Sequence, residues 1–124
     1  MEHRWSEEDI YLISRRAWEL AMQGRYPEAG ILLEGLASIA PGNPWLRRAA
    51  AVVHIRMGRP EAALRVLEHA RDAVAGRLRF EALVGLGRMQ EAAAEFAVLR
   101  PHLDPPAQRR CALLIEATRG DAVR

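Results

Sequence analysis

The chain has 124 residues, half of them apolar and only 6% aromatic, with a formal net charge of +2. That length suits one domain, and a single cysteine, Cys111, excludes an internal disulfide. All 18 basic residues are arginine, scattered among acids at helical spacing as on a solvated face, so the charge makes no case for a nucleic-acid partner.

The opening segment, MEHRWSEEDI, is too charged for a secretory signal peptide. No apolar run approaches the ~18 residues that span a bilayer, and a soluble, cytoplasmic protein is expected. Residues 1–7 read as frayed or ordered by a partner, with Ser6 and Asp9 resembling a helix N-cap. A first helix is predicted over about Glu7–Gln23. Ile10, Ile13, Ala17, Leu20 and Ala21 make its inward stripe, and Tyr11, Trp18 and Met22 an adjoining one. Gly24 ends it. A second helix follows over about Tyr26–Ile39, with Ala29, Leu32, Leu33 and Leu36 inward, and the run Ala40-Pro41-Gly42-Asn43-Pro44 breaks it. A third is expected over Pro44–Met57. Gly58 closes it, and Pro60 opens a fourth, where a missing N–H costs nothing, reaching to about Ala73. A short fifth helix is expected over roughly Gly76–Leu86 and a sixth over Met89–Leu99, stopped by Pro101. Asp104 caps a last helix that starts with Pro105 and Pro106, runs to about Thr118 and ends at Gly120. Cys111, Leu114 and Ile115 form its candidate buried face, and Arg109, Arg110 and Arg119 its wet one.

The stretch GRYPEAGILLEGLA from Gly24 returns 34 residues later as GRPEAALRVLEHA from Gly58, and again, degraded, as GRMQEAAAEFAVL from Gly87. The second interval is only 29 residues, and the five missing residues are assigned to the fifth helix. A helix–turn–helix figure at this spacing resembles the tetratricopeptide repeat. Gly24, Tyr26, Ala29, Leu33 and Pro41 match its consensus, as do Ala51, Gly58, Ala63, Leu67 and Ala70, with Ala17 at its small position. Arg16, Arg47 and Ala75 depart from it, Ala75 standing where a proline closes the repeat. The resemblance implies an all-α fold, a right-handed superhelix of about three helix–turn–helix repeats (roughly 8–43, 44–75 and 76–101). A capping helix over 104–119 completes one domain, 1–124, since a short solenoid needs a polar outer face at its end.

Catalysis finds no material here. The chain has one Thr, one Asn and three Ser, and no GxSxG, P-loop or HExxH. His3, His54, His69 and His102 are widely spaced, so neither a metal nor a cofactor is expected, and His54 and His69 read as packing or surface residues. Cys111 reads as a small core residue rather than a nucleophile. The chain is not expected to be an enzyme. What remains is surface. Mapped on the tetratricopeptide groove, the concave positions are Tyr11, Ser14, Arg15, Trp18, Ala21 and Met22, then Trp45, Arg48, Ala49, Val52, Ile55 and Arg56. So much apolar area points to a partner-binding groove; the alternative is that it packs beneath an N-terminal or capping segment. Trp5, outside the repeats, docks on the solenoid end or forms a dimer contact.

A narrower resemblance lies in Trp18 to Pro41, W-x-L-x-x-x-G-x-x-x-x-A-x-I-L-L-x-x-L-x-x-x-x-P. It is similar to the YscY-type family of small type III secretion chaperones, and a free-standing chain of three repeats suits that group. Those proteins hold a secreted partner in the cytosol by clasping its helices. The resemblance implies a small helical secreted or export-apparatus partner, with Trp18, Met22, Trp45, Val52 and Ile55 as anchors. Arg15, Arg48 and Arg56 would orient its acidic flank. It implies no membrane insertion and no nucleic acid, and a homodimer is the alternative state when the partner is absent. Two rivals remain: a self-assembling scaffold subunit and an RNA-reading helical repeat. A carboxylate-clamp adaptor is disfavoured, since the chain has no Lys and its only Asn, Asn43, lies in a loop.

Overall fold

The computed structural model describes residues 5–123, so the expectations for residues 1–4 and for the Arg119 side chain lie outside the described residues. Among them are seven α-helices and no strand. The helices are α1 (Glu7–Met22), α2 (Tyr26–Ile39), α3 (Pro44–Arg56), α4 (Pro60–Val66), α5 (Ala73–Gly85), α6 (Met89–Leu99) and α7 (Pro105–Val123). They stack as three helix pairs, α1–α2, α3–α4 and α5–α6, with α7 packed on the last. The first helices lie side by side, α3 touching both α1 and α5.

Each first helix is opened and closed by the same local chemistry. Ser6, Asn43 and Asp72 are N-caps, accepting hydrogen bonds from the backbone N–H of Asp9, Trp45 and Ala75. Asp9 returns the bond to the Ser6 N–H and completes a capping box. At the far ends, Gly24, Gly58 and Gly87 sit at φ +77°, +72° and +73°. Side chains rarely adopt this left-handed backbone. It lets the next residue, Arg25, Arg59 or Arg88, donate its N–H to Leu20, His54 or Leu83 at 2.8–2.9 Å. The orphan carbonyls of the last turn are thereby satisfied and the chain reverses into the partner helix.

Packing repeats with the same frame. Ala29, Ala63 and Ala92 each lie five residues after the turn glycine and are wholly buried, so the paired helix axes approach closely. Around them form three clusters of core residues. The first joins Leu20, Leu33, Leu36, Leu46 and Val53. The second joins Ala51, Ala63, Leu67, Ala75 and Ala82. The third joins Phe80, Leu83, Leu99, Cys111 and Ile115, with the Phe80 and Phe96 rings 6.2 Å apart and tilted. Cys111 and Ile115 of α7 close this last cluster, as a terminal cap should. Burial pushes the Cys111 thiol above its ordinary range, in keeping with a core role.

Three boundaries differ from the sequence expectation. The missing five residues are taken from α4, not from α5. Helix α4 ends at Val66 instead of about Ala73, while α5 begins at Ala73 rather than Gly76 and has the same 13 residues as α3. The cause is Asp72, whose carboxylate caps α5 and restarts the helix early. Ala75, read as replacing a closing proline, is therefore a buried residue inside α5. At the C-terminus, α7 continues through Gly120 to Val123.

Candidate functional site

Counting back from the turn glycines puts the three first helices in one register. Tyr11, Trp45 and Val74 each stand 13 residues before Gly24, Gly58 or Gly87, and Trp18, Val52 and Glu81 each six before. These positions open onto one side of the stack. Between α1 and α3 is a cleft of about 720 Å³ walled by Ile10, Tyr11, Trp18 and Trp45, with Glu7, Ser14, Arg15 and Asn43 at its edges. A second cleft, about 260 Å³, lies between α3 and α5. It is walled by Val52, Ile55, Val74 and Leu78, with Arg56, Arg77 and Glu81 around it. Val52 also lines the small void, about 10 Å³, that Trp18 and Trp45 share with Ala49 and Val53.

The residues expected in a groove thus fall into three groups. The first cleft gathers Tyr11, Arg15, Trp18 and Trp45, and the second Val52, Ile55 and Arg56. Met22 and Arg48 line neither. Exposure separates the aromatic members. Tyr11 is 63% and Trp18 47% exposed, whereas Trp45 is half-buried against the first core cluster, so it serves the fold as well as the cleft wall. Met22, 71% exposed, projects at the C-terminal end of α1.

The arginines differ as sharply. Arg15 is paired with Glu19 one turn on, at 3.4 Å. Arg48 reaches across to Asp72, at 3.7 Å, and so ties α3 to the cap of α5. The Asp72 carboxyl is held below its ordinary range, chiefly by the Ala75 N–H and then by its own N–H and Arg48, against the opposing effect of burial. Arg56 and Arg77 line the second cleft without an ion pair inside 4 Å among the described residues. The expected site covers only the first two repeats and so omits Val74, Arg77, Leu78 and Glu81; Val74 also precedes the expected start of α5 at Gly76. The register to Gly87 was the signal that could have found them.

Among the described residues there is no group of three or more metal-binding side chains and no helix long and apolar enough to cross a membrane. A family model described as tetratricopeptide repeat matches residues 20–84 of this chain. No curated protein and no solved structure matches it.

Proposed function

The chain belongs to the tetratricopeptide repeat family, a protein-binding repeat, and from that premise we propose that it holds an amphipathic helix of a partner along the α1–α3–α5 face. The observation that carries this reading is the pairing of Trp18 with Tyr11 at an open apolar cleft of about 720 Å³. A rigid indole half out of solvent contact beside a large apolar cleft is the usual form of an interface anchor. A helix seated there would place residues at i, i+3, i+4 and i+7 against Tyr11, Trp18, Trp45, Val52 and Ile55. Arg15 and Met22 extend the site at its edges, with Arg56 at the second cleft. Arg48, engaged with Asp72, acts through the geometry of α5.

The finer assignment is a chaperone or co-chaperone of a type III secretion export or needle component, acting in the cytoplasm. It rests on the Trp18–Pro41 pattern, whose residues form α1's end and α2 in full, and on an apolar face suited to shielding an export substrate's helix. The test is co-expression with the products of neighbouring genes, followed by size exclusion with light scattering. A stable heterocomplex that Trp18→Ala dissolves supports the assignment. A complex indifferent to Trp18 refutes the site. The second reading, a self-assembling scaffold subunit, draws on Leu12 of α1 and Leu113 of α7, exposed apolar residues on the two terminal helices; a stable homo-oligomer that captures no neighbour product would favour it.

A further inference from the structure

The two clefts of the α1–α3–α5 face differ in charge. The aromatic cleft is lined by one acid and one base, Glu7 and Arg15, with Arg15 and Arg16 sharing Glu19, and on α3 the next arginine is held by Arg48–Asp72. At the α3–α5 end, Arg56 and Arg77 stand at one cleft with no acid within 4 Å among the described residues. Glu81 borders the same cleft and leaves it one positive charge in excess. Both guanidinium groups are exposed beside an apolar wall of Val52, Ile55, Val74 and Leu78, so they are open to a ligand's carboxylate.

We infer that this cleft is an acid-reading subsite: Arg56 and Arg77 take a carboxylate carried by the bound helix, whose apolar anchor sits at Trp18. The inference rests on the groove reading above and names the partner's chemistry, an acidic amphipathic helix rather than a basic or neutral one. Neighbouring packed helices are about 8–10 Å apart, and a helical ligand rises 1.5 Å per residue. The carboxylate therefore belongs about six or seven positions from the anchor, which is also two turns on and on the same face. The arrangement gives the groove a direction, apolar end at α1 and acidic end at α5. Bidentate geometry makes arginine suited to this role, and the guanidinium stays charged at every working pH.

The test uses fluorescein-labelled alanine-rich helical peptides that carry Trp and Leu at i and i+4. Residue i+7 is Glu, Gln or Arg. Anisotropy titrations are run at low and high salt. The expected result is that the Glu peptide binds at least about tenfold tighter than the Gln peptide at low salt, with the difference shrinking as salt is raised. Arg77→Glu should then favour the Arg peptide, and circular dichroism should find its helix content unchanged, since Arg77 is exposed. If all three peptides bind alike while Trp18→Ala abolishes binding, the acid-reading subsite is refuted and the groove stands. If none binds the wild-type chain, the groove reading itself falls, and the subsite with it.

Discussion

Arg79 of α5 donates to the carbonyl oxygen of Leu67, 3.0 Å away, at the point where α4 stops. The same guanidinium donates to the Ala70 carbonyl and pairs with Glu95 of α6 at 3.0 Å. The Leu67 carbonyl also accepts the Ala70 backbone N–H at 3.0 Å, so one half-buried arginine from the next pair braces the short link between α4 and α5 from the side. Arg79→Met should therefore destabilise the fold by about 2–3 kcal/mol, because it leaves the half-buried Glu95 without its ion pair and removes the bracing bonds to Leu67 and Ala70. Arg79→Lys should recover only part, since an ammonium cannot span three acceptors in a fixed plane. Urea denaturation of the three proteins checks this.

Gly76 of α5 lies directly against side chains of α6. An added Cβ would stand 2.7 Å from Leu99 Cδ2 and 3.2 Å from Glu95 Oε1, and Leu99 is buried with nowhere to retreat. Gly76→Ala should cost about 1–3 kcal/mol, despite the gain in helix propensity. Gly35, exposed in the middle of α2, would meet nothing within 4 Å. There the same substitution should stabilise by about 0.5–1 kcal/mol. Opposite shifts in thermal midpoint are the expected outcome.

His54 stands four residues before Gly58, the register position that Leu20 and Leu83 occupy in the other pairs. Its Nδ1 is buried without a hydrogen-bond partner. Burial, then Arg59, pushes the imidazole below its ordinary 6.5, with Glu34 opposing and Arg65 assisting. The unfolded chain thus binds a proton more readily than the folded one. The fold's advantage is complete above pH 6.5 and declines as the pH falls below it, towards the depressed folded value. His54→Leu should raise stability by about 1 kcal/mol at pH 7 and flatten the slope between pH 5 and 7. Denaturation of both proteins at several pH values measures it; an unchanged slope would sink the assignment.

Trp18 and Trp45 should separate on substitution. Trp18→Ala should leave the thermal midpoint close to wild type and weaken partner capture by about 2 kcal/mol or more. Trp45→Ala should weaken capture and also destabilise the fold by about 2 kcal/mol, since its ring packs on the first core cluster. Loss of folding in Trp18→Ala would mean that the indole is core.

Much of this architecture is legible in residue types. Gly24, Gly58 and Gly87 mark the turns because only glycine takes that backbone easily, and Ser6 and Asp104 mark helix starts through their side-chain oxygens. The end of α4 is not legible in the same way. Between Leu67 and Ala73 there is neither glycine nor proline, and Val66 and Ala70 continue a helical period that the chain does not follow. Asp72 restarts the helix, and the link before it is braced by a long-range partner, Arg79, which no local pattern announces. With α5 started at Gly76, Val74 of the second cleft falls outside the helix. Trp45 could be assigned to the face from its register, but its second role in the core depends on how closely α3 approaches α1.

The half-length α4 also sets how the stack comes apart. In a quasi-linear array each unit is held by its neighbours alone, so the weakest plate governs where the array divides. The cluster that joins the middle pair to α5 is made mainly of alanines, Ala51 and Ala63 facing Ala75 and Ala82 around a single buried Leu67, and so offers little apolar area per contact. The chain's accessible excited states should be ones in which the end pairs keep their structure while the junction opens. Amide exchange in α4 should then run ahead of that in α2 and α6, and a ligand spanning α1 to α5 would bridge the seam and slow it.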